Sequence, residues 1–201
     1  MDKHYQPKFQ EEYSAKIPAL TLLTSLGWTF LSPKQIMDYR GYKQDEVVLR
    51  PVLREELSKR SFMAGGKTCQ LSEKALDNLI SQVCSPALNE GLLKANERMY
   101  NHLLYGIAVT EFVDGKKVNP TIALIDWEHP ENNQFHFTEE FTVLRSGGVE
   151  TRRPDIVCFV NGIPLAVIEA KSPAGHGKKG PTIDEGISQS IRNQLNDEIP
   201  Q

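Results

Sequence analysis

Residues 154–173 read PDIVCFVNGIPLAVIEAKSP, two apolar runs around an Asn161-Gly162 pair. Each run is long enough for a buried strand, and Asn-Gly favours a two-residue bend with both residues left-handed. The stretch therefore predicts a β-hairpin in the interior of whatever sheet the chain builds. Its charges stand only at the rims: Asp155 opens the first run, and Glu169 and Lys171 close the second. An unpaired charge in apolar surroundings costs several kcal/mol. These three groups need one another, solvent or a ligand.

Register decides which of them meet. Side chains two apart on a strand share a face, so Glu169 and Lys171 point the same way. With a regular two-residue hairpin, Asp155 would pair opposite Ile168, and Glu169 would turn to the far side of the sheet. A one-residue shift, from a bulge or a three-residue loop, brings both acids to one side. Pro164 cannot donate to a ladder, so the irregularity is expected close to it.

Two carboxylates brought together repel unless a cation lies between them. Hard oxygen ligands with room for water and a phosphate oxygen favour Mg²⁺, with Mn²⁺ as the substitute. A cation there would lower the pKa of a water from 15.7 towards about 7, which suits phosphodiester hydrolysis. Lysine as a general base costs about 4–5 kcal/mol to hold neutral at pH 7. The preferred role for Lys171 is a cation that positions the water and stabilises the crowded phosphate. The P-D…E-x-K pattern is loose by itself, and ordinary strand-end charges forming a surface ion pair satisfy it equally.

The rest of the chain frames this hairpin. Residues 1–105 read as mainly helical. Leu20, Leu23 and Leu26 fall on one side of a helix that Gly27 ends. DEVVLRPVLREELSKR reads as a second helix, with Val48, Val52, Leu53 and Leu57 at helical spacing and Asp45 and Glu46 favouring its start. Pro51 suits a first turn and would put the start near Arg50 instead. Ser72 is placed to cap a third helix, and a fourth runs to Gly106. Residues 106–201 change to a period of two. Asp114-Gly115 marks a hairpin bend, and Phe135, Phe137, Phe141 and Val143 pick out a buried face. A closing helix over about 182–197 carries a stripe of Ile183, Ile187, Ile191 and Leu195. The order predicts an α+β fold, a mixed sheet of about five strands flanked by helices.

Composition narrows the function. Net charge is −3, so no global basic field advertises nucleic acid, and any polyanion contact needs a local patch. Arg152, Arg153, Lys178 and Lys179 flank the triad in sequence and could supply one. Cys69, Cys84 and Cys158 form no disulfide framework, which suits a cytoplasmic protein. The polar N-terminus matches no signal peptide, and no apolar run could span a membrane. Gly66-Lys67-Thr68 imitates the tail of a phosphate-binding loop, but Ser61 stands where its first glycine belongs.

The segments LNEGLLKANERMYNHLLYGIAV, ALIDWEHPENNQF, RRPDIVCFVNGIPLAVIEAKSP and EGISQSIRNQLNDEIPQ resemble the amino-terminal region of the endonuclease (motor) subunit of bacterial type I restriction enzymes. The resemblance covers most of residues 88–201. It implies a nuclease domain of the PD-(D/E)xK class that cuts double-stranded DNA with Mg²⁺. Asp155 and Glu169 would hold the metal together with the Ala170 carbonyl, and Lys171 would complete the catalytic set. It also implies helicase-like domains after this region that use ATP, and partner subunits for methylation and for sequence specificity. Many relatives carry Gln-x-x-x-Tyr on the helix after the last motif strand. Here Gln189 is followed at that spacing by Asn193, both potential DNA contacts. A glutamate that relatives carry on their first helix has no clear counterpart, and Glu12 reads as a solvated helix-start charge. The alternative is a catalytically silent domain that keeps the fold and only docks or binds DNA.

Overall fold

The computed structural model describes residues 15–85, 89–145 and 150–171, together with 187, 188 and 191. In chain order the elements are α1 (Ile17–Ser25), β1 (Thr29–Phe30), α2 (Pro33–Tyr39), α3 (Arg50–Ser58), β2 (Ser61–Ala64), β3 (Lys67–Gln70) and α4 (Glu73–Cys84). Next come α5 (Leu92–Tyr105), β4 (Ile107–Ala108), β5 (Glu111–Val113), β6 (Lys116–Val118) and β7 (Thr121–Ile122). The site-bearing region holds β8 (Phe135–Glu139), β9 (Val143–Leu144), β10 (Thr151–Arg152), β11 (Ile156–Val160) and β12 (Ile163–Ile168).

Local chemistry explains most boundaries. Gly27 takes φ +90 just past α1, where a left-handed residue ends a helix without the Cβ penalty. Pro51 sits in the first turn of α3, where its missing N–H costs nothing. Ser72 caps α4 by accepting from the Ala75 amide at 3.2 Å, and buried Glu111 accepts from the Ser72 amide at 2.8 Å. Asp114 and Gly115 both have positive φ at the β5–β6 bend. The Gly66-Lys67-Thr68 stretch lies in the β2–β3 hairpin, so it is no phosphate loop.

Four strands in the order β1-β8-β11-β12 form the central sheet. β1 runs parallel to β8, whereas β11 is antiparallel to both neighbours. The fold is therefore α+β around a mixed sheet, with four strands among the described residues rather than about five. Within residues 1–105, read as mainly helical, strands also occur in two places. A two-residue β1 joins the central sheet, and the β2–β3 hairpin follows α3. Neither is long enough to show a period in sequence.

β11 is buried along its whole length. Ile156 and Cys158 pack with Leu23 of α1 and Phe137 of β8. On the opposite face Val157 and Phe159 meet Ile36 of α2, Leu49 and Val52 around the start of α3, Phe141 and Val143. Helices thus cover both faces of the central strand, which is why its sequence is continuously apolar. β12 differs: it is the edge strand among the described residues, and Leu165, Ala166 and Val167 are exposed. The expectation of two covered faces holds for the first apolar run only. Likewise Leu23 is buried in α1, but Leu26 lies exposed.

The bend between β11 and β12 is locked into the core. Asn161 and Gly162 have φ of 52 and 81, the pair of left-handed residues that a two-residue hairpin of this hand requires. Asn161 is fully buried; its amide donates to the Leu124 carbonyl at 2.9 Å and to Asn133 Oδ1 at 2.8 Å. Its Oδ1 accepts from the Gln134 amide at 2.8 Å. The Gly162 carbonyl accepts from the Leu49 amide at 2.8 Å, an approach so close that an added Cβ would stand 2.6 Å from the Leu49 oxygen.

Candidate active site

The hairpin register contains the expected irregularity. Val160 pairs with Ile163 and Phe159 with Pro164, but Cys158 pairs with Ala166, Val157 with Val167 and Ile156 with Ile168. Leu165 has no partner in this ladder. It is a one-residue bulge directly after Pro164, the residue that cannot donate. Beyond it the register runs on to bring Asp155 opposite Glu169. The bend itself is a regular two-residue one, so the shift comes from the bulge and not from a longer loop.

Both acids then share a face with Lys171. Lys171 Nζ lies 4.0 Å from Asp155 Oδ2 and 3.9 Å from Glu169 Oε2. The Ala170 amide donates to Asp155 Oδ2 at 2.8 Å, which ties the first acid to the backbone of the second run. Exposure is graded: the side chains of Glu169, Lys171 and Asp155 are 5%, 15% and 25% exposed. The site opens to solvent at Asp155 and closes at Glu169.

Two hard-oxygen acids converge on one cationic position, which is the donor set a Mg²⁺ or Mn²⁺ ion takes. Among the described residues no group of three His, Cys, Asp or Glu side chains could hold a metal. A zinc-type cage is therefore not what these residues offer. Magnesium needs less from protein, commonly one or two carboxylates with water and phosphate completing its shell. Asp155 and Glu169 fit that requirement.

A second ionic group borders the site, and the sequence reading missed it. The Glu140 amide donates to the Asp155 carbonyl at 2.9 Å, making Glu140 the cross-strand neighbour of Asp155 on the β8 side. Glu140 has φ 51, a left-handed conformation unusual for a side-chain-bearing residue. Its carboxylate meets Lys16 Nζ at 3.1 Å and Arg153 Nη1 at 3.4 Å, and Lys16 also reaches Glu139 at 2.8 Å. The bond from Lys16 holds the Glu140 carboxyl below the usual carboxylate range. Burial opposes the charge on Lys16, but its bonds to Glu139 and Glu140 prevail and raise its pKa. Lys16 lies 124 positions from Glu140, a separation at which sequence carries no local signal.

Of the other expected contacts, Arg153 is exposed beside Asp155, while Arg152 is half-buried in β10. Arg145, paired with Glu150, stands across the short β9–β10 hairpin and was not anticipated. Gln189, Asn193, Lys178, Lys179 and Glu12 lie outside the described residues. Ile187 and Ile191 of the expected apolar stripe are exposed. The three cysteines are free, and among the described residues no helix is long and apolar enough to cross a membrane.

Comparison with known proteins identifies relatives of this chain. The chain is 32% identical over 164 residues to the type I restriction enzyme HindI endonuclease subunit of Haemophilus influenzae, covering 78% of this chain and 15% of that protein. It is 28% identical over 172 residues to the putative type I restriction enzyme MjaVIIIP endonuclease subunit of Methanocaldococcus jannaschii, covering 85% of this chain and again 15% of the relative. The chain thus spans about one seventh of the length of these relatives. A family profile described as the type I restriction enzyme R protein N terminus matches residues 8–201. On that match, which takes in every residue of the Asp155–Glu169–Lys171 group, the chain belongs to the family of type I restriction enzyme R protein N-terminal regions.

Proposed function

We propose that this domain is a Mg²⁺-dependent DNA endonuclease, which hydrolyses phosphodiester bonds in unmodified double-stranded DNA as the nuclease part of a type I restriction R subunit. The observation that carries the reading is the Leu165 bulge, which turns Asp155 and Glu169 to one face beside Lys171. An unpaired ladder position stands where a regular hairpin would separate the acids.

In this reading Asp155 and Glu169 hold the cation, aided by the Ala170 carbonyl. When bound, Mg²⁺ supplies Lewis acidity, neutralising phosphate charge and making water a better nucleophile near neutral pH. Asp155, at the open end, meets the incoming phosphate group first. Glu169, nearly enclosed, is kept from rotating away by its surroundings. Lys171 orients the attacking water and balances the negative charge that gathers on the phosphate as the new P–O bond forms. Such fixed charge in an enclosed site is worth about a hundredfold or more in rate. Arg152 and Arg153 contact the DNA backbone, which positions the duplex without reading sequence; Gln189, Asn193, Lys178 and Lys179 are further contacts in the same role. Recognition belongs to a specificity subunit, modification to a methylation subunit, and ATP-driven translocation to helicase domains of the complete cytoplasmic R subunit.

The experiment is DNA nicking by the complete restriction complex with and without Mg²⁺, using wild type and Lys171→Ala. Mg²⁺-dependent nicking that disappears in Lys171→Ala, with assembly and ATP hydrolysis retained, supports the reading. Unchanged cutting by the variant overturns it and leaves a docking domain.

A further inference from the structure

We infer that Glu140 is a positioning residue of this site, which holds Arg153 off the acid pair and so sets its affinity for a divalent cation. The inference rests on the reading of Asp155 and Glu169 as cation ligands. Glu140 is tied by its amide to the Asp155 carbonyl at 2.9 Å. Two cations stand at this end of the sheet, and both are paired with the Glu140 carboxylate. Left without Glu140, Arg153, two residues before Asp155, would neutralise part of the field that draws Mg²⁺ to Asp155, whereas Lys16 would keep its bond to Glu139. The carboxylate instead takes Lys16 on one oxygen at 3.1 Å and Arg153 on the other at 3.4 Å.

The two cations are not held alike. Lys16 is 13% exposed and bonded to both Glu139 and Glu140, so it stays where the N-terminal end of α1 meets the end of β8. Arg153 is 63% exposed and has the longer contact. Exposed ion pairs of this kind are weak, so a DNA phosphate can draw Arg153 away. Glu140 therefore keeps Arg153 from Asp155 while no DNA is present and yields it when a backbone phosphate arrives. The left-handed backbone at Glu140, φ 51, is the conformation that places this carboxylate where the chain turns out of β8 towards Phe141. That conformation is unfavourable for a residue bearing a side chain. The carboxylate, and not the backbone, is what glycine could not supply.

The test is a Mg²⁺ titration by calorimetry, with DNA binding measured without metal, on wild type, Glu140→Gln, Glu140→Gly and Lys16→Met. Glu140→Gly preserves the amide and relieves the backbone, so it remains informative if the Gln variant folds poorly. The expected results are a Mg²⁺ affinity weakened about three- to tenfold in both Glu140 variants and strengthened in Lys16→Met. Metal-free DNA binding should tighten in the Glu140 variants, with a steeper salt dependence. Affinities equal to wild type, with only thermal stability altered, overturn the inference and leave Glu140 a structural ion-pair residue. Wild type that takes up no Mg²⁺ defeats the metal-site reading beneath it, a different result from wild-type binding that the variants leave unmoved.

Discussion

The Ala170 amide donates to Asp155 Oδ2 at 2.8 Å, so the strand that carries Glu169 also fixes the orientation of Asp155. The first acid is held by a backbone amide, with the Lys171 ammonium 4.0 Å from the same oxygen. Asp155→Asn keeps an acceptor for that amide and removes only the charge. The variant should melt within a few degrees of wild type and cut DNA at least about a hundredfold more slowly in the assembled complex. A variant that melts normally and still cuts at the wild-type rate would remove Asp155 from the chemistry.

The bulge makes an unusual deletion tolerable. Leu165 is unpaired, so its removal converts β11–β12 into a regular ladder in which Asp155 still faces Glu169. Deletion of Leu165 should leave Mg²⁺ affinity within about threefold of wild type, since the register beyond the bulge is unchanged. Calorimetry on the deletion variant checks this. Lost Mg²⁺ binding in a folded deletion variant would show that the bulge does more than set register.

At the other end of the hairpin, Gly162 has no room for a side chain. An alanine Cβ would stand 2.6 Å from the Leu49 carbonyl oxygen and 3.0 Å from the Leu53 amide nitrogen, on a residue with φ +81. The left-handed backbone costs about 1–2 kcal/mol and the clash adds to it, so Gly162→Ala should destabilise by at least about 2 kcal/mol. Urea unfolding monitored by tryptophan fluorescence reads the change. A loss below about 0.5 kcal/mol would mean that α3 does not anchor the bend.

Acid sensitivity should trace in part to His136. Its Nδ1 is buried without a hydrogen-bond partner among the described residues, and burial holds the imidazole below its usual range while Glu56 and Glu55 pull it up. Both glutamates also bind Lys59 and Gln134, so they are only partly available to the imidazole. A folded-state pKa below the unfolded value of about 6.5 means that the unfolded chain binds the proton more readily. The contribution is complete above about pH 6.5 and is lost as pH falls through the folded value. Thermal melting of wild type should therefore fall more steeply below pH 6.5 than that of His136→Gln. Parallel curves would show that the imidazole does not titrate differently on folding.

Much of this was legible in the residues because it is local. Ser72, Pro51, Gly27 and the Asp114-Gly115 bend each act within a turn of chain, where backbone demand and residue type correspond directly. The bulge was legible for another reason: Asp155 and Glu169 lie on opposite faces of a regular hairpin, and Pro164 marks where the ladder gives way. The bulged residue itself, Leu165, carries no such mark. What stayed hidden is long-range or short. β1 has two residues and takes its strand state from β8. The Lys16–Glu140–Arg153 group joins α1, β8 and the approach to β11, and only the fold brings them together. β12 looked as buried as β11 because apolar content does not report which strand lies at an edge.

The most direct measurement is a calorimetric Mg²⁺ titration of the chain beside Asp155→Ala and Glu169→Ala, with the melting of each variant checked. A single binding event in wild type, absent from both variants while each remains folded, is the expected result. Equal heats in all three, or loss in one variant alone, would contradict a cation shared between the two acids.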